Sequence, residues 1–329
     1  MSKFIQIDSI RAFEDYPSYQ ILYEFEDDFS SQAKLPINQL SKYKYVGGKF
    51  LNKYFSQFLS ANNESSINRA RKFSIMMTPD YHRMYWNKST VVPYIIDYWK
   101  RYDTIFDTYF DQFPLVYISG LEVFEYLKSK QTRVNIKHLP LSISDKHFHN
   151  FFHKEIAKDI DIINVGRKNK VLDAYIQQYL EKFPATNYVH REMENGENIY
   201  YSTINGKIGK LETRTDLLNT LSRAKIAIVT SPGIDGGELR TGGFNPVTPR
   251  IFEAAIGKCF LIGKYEKNVE FYSFGLDNLV EMPTSYNEFE QIVSNKLQVP
   301  FNLHQAYQQF LERNLNSKRV AQILSDCSV

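Results

Sequence analysis

The sequence has little cysteine, and the positions of its cysteines exclude the common cysteine-based sites. Of 329 residues only two are cysteines, Cys259 and Cys327. No Cys-x-x-Cys pair and no cysteine–histidine cluster has the spacing of a zinc site, so we expect no structural metal. Cys259 lies inside an apolar run, which is typical of a buried thiol.

Long apolar runs are also missing. No stretch approaches the ~18 consecutive apolar residues that a membrane-spanning helix needs. The amino-terminal sequence MSKFIQIDSI lacks the apolar segment of a signal peptide. We therefore expect a cytoplasmic protein.

Charge of one sign does not dominate. The chain carries 40 Lys and Arg against 37 Asp and Glu, a net charge of +3. Because no basic stripe or known binding motif stands out, we expect no specific nucleic-acid partner. The absence of a GxGxxG motif and of a P-loop removes the main support for dinucleotide or ATP binding. A weak basic excess is compatible with small anionic substrates or an anionic membrane surface.

What the chain does contain is an alternation of apolar strands with helical patterns. The first series begins at Lys72 and the second near Asp159, whereas the first seventy residues fit no clear pattern. The candidate strands are KFSIMM, VVPYII, LVYIS, VNIKHLPL, DIDIINVG, AKIAIVTS and CFLIG. Such alternation predicts parallel, doubly wound α/β sheets.

The length is comfortable for two domains. We predict an amino-terminal α/β domain over residues 1–155 and a second over 156–300. Residues 301–329 are predicted as a helix that could pack back on the first domain. Two such halves imply a cleft between them, which is a favoured place for ligands.

The most informative stretch runs from Thr230 to Gly263 and reads as strand, glycine-rich loop, helix, turn and strand. Thr248 is a plausible N-cap, and Pro249 suits the first helical position. The amino end of this helix would then form an anion site suited to a diphosphate.

Glu253 lies one turn into that helix among apolar or small neighbours. A buried carboxylate needs partners, and the hydroxyl groups of a ribose would supply them. The alternative is an internal pair with Arg250, which lies three residues earlier on the same helical face.

The segment GFNPVTPRIFEAAIGKCFLIG resembles the nucleotide-sugar segment of GT-B-fold glycosyltransferases, in the group whose signature approximates R-x-F-E-A-x-x-x-G-x-x-x-L. The resemblance covers about residues 159–295. It implies two Rossmann-like domains facing a cleft, a UDP- or GDP-type sugar donor and no obligatory cofactor or metal. It also implies that Glu253 and Arg250 belong to the donor site, that Glu253 holds the ribose, and that Arg167 in NVGRKNK contacts the diphosphate.

The chain departs from this pattern near the donor sugar. Many retaining members carry a second glutamate eight residues before the first, where this chain has Asn245. Glu238 or Asp235 in the glycine-rich loop could take its place. We predict that Asn245 and the loop 235–243, including Gly243, contact the donor sugar.

A second departure concerns the basic pair at the start of the carboxyl-terminal domain. Where many members have a lysine five residues after the arginine, this chain has Leu172. Lys168 or Lys170 would have to serve, and we predict Lys170 as a phosphate contact.

A catalytic base would come from the amino-terminal half. Asp80, His82 and His138 are the candidates, each with a purely structural role as the alternative. The histidines of HFHNFFH, residues 147–153, could ligate a metal or form a polar linker face. Asp159-Ile-Asp161 has the spacing of a GT-A metal site but lies at the start of its strand.

The segment KYKYVGGKFLNKYFSQFL, residues 42–59, combines an apolar helical face with lysines. It could dock on an anionic membrane that holds a lipid-linked acceptor, or it could be an ordinary core-facing helix.

Taken together, the residues and the resemblance predict a glycosyltransferase that moves a sugar from a nucleotide diphosphate to a hydroxyl of a sugar or glycoconjugate. The resemblance favours retention of configuration, a metal-independent reaction and a role in surface polysaccharide assembly. The alternatives are a sugar-nucleotide epimerase of the same fold and a non-enzymatic scaffold that binds no nucleotide.

Overall fold

The computed structural model describes residues 4–327 except residues 15, 44, 49, 51–66 and 86. The chain forms two compact units, Met1–Ser144 together with Asn314–Val329, and Asp145–Arg313. Most of the predicted membrane-docking segment 42–59 lies outside the described residues, so its role stays a prediction.

The strands, in chain order, are β1 Gln6–Ser9, β2 Ile37–Gln39, β3 Lys72–Met76, β4 Val91–Ile95, β5 Val116–Ile118, β6 Ile136–His138, β7 Ile160–Asn164, β8 Tyr188–Glu194, β9 Glu197–Ser202, β10 Gly206–Gly209, β11 Ala224–Thr230, β12 Phe260–Lys264 and β13 Val280–Glu281.

The α-helices are α1 Gln20–Ala33, α2 Asp103–Phe110, α3 Leu121–Ser129, α4 Asp145–His147, α5 Lys170–Lys182, α6 Arg214–Ser222, α7 Glu238–Thr241, α8 Arg250–Ile256, α9 Val269–Ser273, α10 Tyr286–Gln298, α11 His304–Arg313 and α12 Asn316–Asp326. A π-helical turn, Phe148–Phe152, follows α4. Short 3-10 helices lie at Pro17–Tyr19, Ile67–Arg69, Pro79–Met84, Lys88–Thr90, Lys100–Tyr102 and Leu276–Asn278.

The first unit is built on a six-stranded sheet in the order β2-β1-β3-β4-β5-β6. All its strand pairs are parallel. Every residue of β4 is buried, as expected for a central parallel strand covered on both faces. The predicted strands of the first series are confirmed, and β1, α1 and β2 fill the stretch in which the sequence showed no clear pattern.

The carboxyl-terminal helix α12 belongs to this first unit. Asp326 accepts a hydrogen bond from Tyr117 at 2.9 Å and pairs with Lys137 at 2.6 Å. Asn316 donates to Asp28 at 2.8 Å. The predicted terminal segment 301–329 is thus divided, since α11 belongs to the second unit.

The second unit is built on a seven-stranded sheet in the order β10-β9-β8-β7-β11-β12-β13. The neighbouring strands β8, β7, β11, β12 and β13 pair in parallel, with Ile162 opposite Tyr188 and Val229 opposite Gly263. β8, β9 and β10 form antiparallel pairs at one edge, which the sequence did not predict. The apolar core includes Ile162, Ile226 and Ile262.

Both units therefore have parallel sheets with intervening helices, so the predicted α/β class with two Rossmann-like domains is confirmed. The division falls after Ser144 rather than at the predicted 155/156. The aromatic segment 148–152 packs within the second unit, where Phe152 stacks on His304 with ring centres 4.7 Å apart. Cys259 and Cys327 are both buried and reduced, as predicted for Cys259.

Candidate functional site

Polar side chains gather at the carboxyl edge of the second sheet, where parallel α/β sheets bind ligands. β7 ends at Asn164 and leads through Arg167 into α5. Asn169 caps α5, because its side chain accepts from the backbone N–H groups of Val171 and Leu172 at 3.1 and 3.2 Å. β11 ends at the same edge and leads into the glycine-rich loop, residues 231–243.

Glu253 lies at this edge in the first turn of α8 and is buried between two arginines. Its side chain is 1% exposed, and its carboxylate oxygens accept hydrogen bonds from Arg214 and Arg250. Burial raises the pKa of Glu253, but the two guanidinium charges outweigh burial and lower the pKa to about 2. The carboxylate is therefore charged at neutral pH, and its pairing with Arg250 is the alternative that the sequence had left open.

Arg214 is the partner that the sequence did not reveal. It is the first residue of α6, whose start is fixed by a capping box between Thr213 and Asp216. α6 packs against α8, which brings Arg214 to a carboxylate 39 residues further along the chain. The ion pair thus joins the first turns of two neighbouring helices.

Arg191 adds a further cation that the sequence analysis missed. It lies on β8, one residue beyond the His190–Asn164 pair that ends the contact with β7. Burial lowers the pKa of Arg191, and so do the positive charges of Arg250 and Arg167. Arg191 therefore lies close enough to Arg250 and to Arg167 to be repelled by both.

Three of the cations at this edge have no acidic partner. Among the described residues, the charged groups of Arg167, Lys170 and Arg191 make no salt bridge. Lys168 differs, because it pairs with Glu192 at 2.6 Å. A cluster of like charges without counter-charges is unfavourable by itself and is suited to binding an anion.

The glycine-rich loop is held against the start of α5. Asn169 donates to Asp235 at 2.7 Å, and Lys264 pairs with the same carboxylate at 2.9 Å. A β-carbon added at Gly236 would lie 3.2 Å from the Nζ atom of Lys170, so the lysine ammonium lies over the loop. Asp235 is thus committed to structural contacts with Asn169 and Lys264, whereas Lys170 lies beside the loop without an acidic partner among the described residues.

Asn245 fixes the other end of this loop. Its side chain accepts from Ser231 at 3.0 Å and donates to the carbonyl of Gly243 at 3.1 Å. Glu238 accepts from the backbone N–H of Gly236 at 2.9 Å. Asn245 and Gly243 are therefore brought together, whereas a contact of any of these residues with a sugar stays a prediction.

Thr248 does not cap α8 as predicted. The N-cap residue is Pro249, and no side chain caps this helix. The backbone N–H groups of Ile251 and Phe252 already donate to the carbonyls of Thr248 and Pro249. The helix has only seven residues, and an anion site at its amino end stays a prediction. The Thr248 hydroxyl is buried beside the hydroxyl of Tyr265, and its contact with phosphate stays a prediction.

The three candidate bases lie in the first unit and are not brought together. Asp80 and His82 follow β3, whereas His138 ends β6. β4 and β5 separate these strands, a distance of roughly 14 Å at three strand spacings.

Both histidines have the surroundings of structural side chains. His82 is 1% exposed, contacts the carbonyl of Pro79 at 2.7 Å and stacks on Tyr109. Burial, together with the charge of Lys88, lowers the pKa of His82 to about 3. Burial likewise lowers the pKa of His138 to about 4, and its ring contacts the Ser119 carbonyl at 3.1 Å. Catalytic roles for these residues and Asp80 stay predictions.

The metal alternatives find no support in the described part of the chain. There, no group of three or more His, Cys, Asp or Glu side chains could hold a metal ion. Asp159 pairs with Arg223 at 2.5 Å, and Asp161 lies 3.5 Å from Lys225. Within the same residues, no helix is long and apolar enough to cross a membrane.

No family model matches the chain, and no curated protein matches it in sequence. Among solved structures, a putative UDP-N-acetylglucosamine 2-epimerase from Listeria monocytogenes is similar over 98% of this chain and 95% of its own. The TM-score is 0.51 at 10% identity. This likeness concerns the fold and agrees with two Rossmann-like domains.

Two further structures are similar over 85% of the chain with TM-scores below 0.5. The pneumococcal O-GlcNAc transferase GtfA in complex with UDP and GlcNAc gives 0.49 at 13% identity. The GtfA/B complex gives 0.48 at 15% identity. The chain spans 59% and 60% of the length of these two proteins, respectively.

Proposed function

We propose that the protein is a glycosyltransferase that moves a sugar from a nucleotide-diphosphate donor to a hydroxyl of a sugar or glycoconjugate acceptor. The observation that carries the proposal is the set of cations without acidic partners at the carboxyl edge of the second sheet: Arg167, Lys170 and Arg191. A diphosphate would supply the negative charge that this edge lacks.

The arginines suit this role by geometry as well as charge. A guanidinium group can bind a phosphate with two parallel N–H donors, and each charge-assisted hydrogen bond contributes roughly 1.5–3 kcal/mol. When the bond to the sugar breaks, charge develops on the departing diphosphate. Arg167 and Arg191 would stabilise that charge, which is the largest contribution expected from such a site.

Glu253 and Arg250 would lie next to the ribose. Glu253 is 1% exposed and both of its oxygens are engaged, but each carboxylate oxygen can accept a second hydrogen bond. Arg250 is the more exposed of its two partners, at 30% against 11% for Arg214. We propose that Arg250 turns towards phosphate on donor binding, which leaves a Glu253 oxygen for a ribose hydroxyl.

The donor sugar would lie over the glycine-rich loop. Asn245, Gly243 and Glu238 are the groups proposed to contact it, with Thr248 near the phosphate. Because Asn245 carries no charge, it would orient the sugar rather than stabilise a cation. We propose retention of configuration and no obligatory metal on the resemblance alone.

An epimerase is the second candidate, favoured by the fold likeness to the Listeria protein along nearly its whole length. It would use the same cation cluster for the nucleotide but form product without an acceptor.

The two candidates separate in one assay. We would incubate the protein with UDP- and GDP-sugars, with and without a panel of sugar and glycoconjugate acceptors, in the presence and absence of a chelator. Nucleoside diphosphate released only with an acceptor supports the transferase, and an isomerised sugar nucleotide without acceptor supports the epimerase. Neither product with any donor would leave the scaffold as the better account.

A further inference from the structure

The second unit contains a cavity at the opposite, amino-terminal edge of its sheet. The cavity has a volume of about 330 Å³, within the range of small-molecule sites. Its walls include Lys158, just before β7, the last residue of α6, Ser222, and Lys258, between α8 and β12. The cations proposed for the donor lie beyond the other end of the strands, on the order of 15 Å away.

Positive charge dominates among the side chains of this cavity. Lys154, Lys158 and Lys258 line it together with His304, against a single carboxylate from Glu155. Lys258 is 10% exposed and pairs at 2.8 Å with Glu155, which is itself 93% exposed. A ligand anion could therefore replace an almost fully hydrated carboxylate as the partner of a largely buried ammonium.

Lys158, unlike Lys258, bonds to backbone carbonyl groups rather than to a carboxylate. Its ammonium group donates to the carbonyls of Ala224 at 2.8 Å, Gly257 at 2.5 Å and Lys258 at 3.2 Å. These bonds satisfy carbonyl groups where α8 ends and β11 begins. They also offset the negative ends of the α6 and α8 dipoles, which would otherwise repel an anion.

Ser222, one of the residues in the cavity wall, has a hydroxyl group without a partner among the described residues. Ser222 is 4% exposed, and its Oγ atom is buried without a hydrogen bond to any described residue. A buried hydroxyl without a partner costs free energy, so an acceptor from a ligand would satisfy it. This observation does not depend on the lysines of the cavity, and it also indicates a ligand with a hydrogen-bond acceptor, such as an anion.

Apolar groups form the remaining wall. Phe151, Ile156, Ile256 and Phe301 line it, and the Lys154 ammonium lies 5.7 Å from the centre of the Phe151 ring. We propose that this cavity binds a small organic anion, either a phosphate monoester or a carboxylate, that carries a flat apolar group. The anionic group would bond to Lys258 and Ser222, and the apolar group would lie against the phenylalanines.

Phenyl phosphate is the probe we would use, titrated into the full chain by calorimetry, with phenol and inorganic phosphate as separate arms. We expect phenyl phosphate to bind more tightly than either. Lys258→Met should weaken binding about tenfold or more, the loss expected for one charge-assisted hydrogen bond. Lys182→Met is the matched control, since Lys182 pairs with Glu290 on the surface at 2.5 Å and should leave binding unchanged.

Ser222→Ala separates this proposal from a folding defect. Because the variant removes a buried hydroxyl without a partner, the protein should stay as stable or become more stable while phenyl phosphate binds several-fold more weakly. Equal binding by wild type, Lys258→Met and Ser222→Ala would overturn the proposal. So would displacement of phenyl phosphate by uridine or guanosine diphosphate, which would place the probe at the donor cations.

Discussion

Arg214 and Glu253 form an ion pair that is buried on both sides, with side chains 11% and 1% exposed, and that joins the first turns of α6 and α8. With Arg250 as the second partner, the pair concentrates two guanidinium groups on one carboxylate. Arg191 and Arg167 add positive charge beside it. The edge of the second sheet is thus organised around the carboxylate of Glu253. The positive charges at this edge outnumber that one carboxylate and could bind a second anion.

Glu253→Gln should strongly destabilise the second unit. The substitution keeps the shape of the side chain but leaves the largely buried guanidinium group of Arg214 and the half-buried one of Arg250 without a counter-charge, which costs about 3–5 kcal/mol. Chemical denaturation measures the loss. Asp159→Asn is the matched control, because it breaks the exposed pair with Arg223 and should cost no more than about 1 kcal/mol. Equal losses in the two variants would contradict the buried pair.

Acid should destabilise the second unit through the same carboxylate. The pKa of Glu253 is about 2 in the folded chain and near the ordinary value of 4.5 in the unfolded chain. Between pH 2 and pH 4.5 the folded state therefore binds fewer protons than the unfolded state. The stability it contributes is fully present above pH 4.5 and is lost as the pH falls through about 2. Hydrogen exchange of peptides from residues 145–313 should show this loss, and Glu253→Gln should show a shallower one. Identical slopes would contradict the assignment.

The first unit should show the opposite dependence through Glu26. Burial raises the pKa of Glu26 to about 7, although hydrogen bonds from Ser9 and Arg11 act against it. The folded state then binds more protons than the unfolded chain between about 4.5 and 7. Its contribution is therefore fully present below pH 4.5 and lost as the pH rises through about 7. Exchange of peptides from residues 4–144 should quicken over that range, and Glu26→Gln should remove the change.

Gly233→Ala should displace the glycine-rich loop. A β-carbon there would lie 2.2 Å from the carbonyl oxygen of Phe244 and 2.6 Å from the Asn245 side-chain oxygen, so the backbone must shift. We expect a loss of about 1–3 kcal/mol in unfolding free energy and faster exchange in residues 231–243. Gly47→Ala is the control, because no atom of the described residues lies within 4 Å of its added carbon. An alanine at 233 that leaves loop exchange unchanged would show that the loop is not packed as described.

The parallel strands and the helices after them were predictable because each buries a run of apolar residues of the right length. β11 and α10 are examples, as AKIAIVT and YNEFEQIVSNKLQ show their periods directly. α1 was not predicted, because the acidic residues of EFEDDF obscure a helical face on which Leu22, Phe25 and Phe29 are buried. The edge hairpin β8–β9 was missed because its exposed, charged residues give no apolar run.

The residues of the candidate site divide in the same way, into those that local sequence predicts and those that depend on packing between distant segments. The glycine-rich loop and Glu253 were found because local sequence carries their signal. Arg191 depends on a hairpin that was not recognised, and Arg214 depends on helix packing across 39 residues. The predicted N-cap Thr248 was wrong, because Pro249 starts the helix and backbone carbonyls take the first N–H groups.

The most direct test of the central claim is calorimetric titration of UDP, GDP and their sugar conjugates into wild type, Arg191→Gln and Arg223→Gln. Arg191 lies in the cation cluster, whereas Arg223 pairs with Asp159 at the other edge of the sheet. We predict that one nucleotide binds, that Arg191→Gln weakens it at least tenfold, and that Arg223→Gln binds it as wild type does. Binding of no nucleotide at millimolar concentration, or equal binding by all three proteins, would contradict a diphosphate site at these arginines.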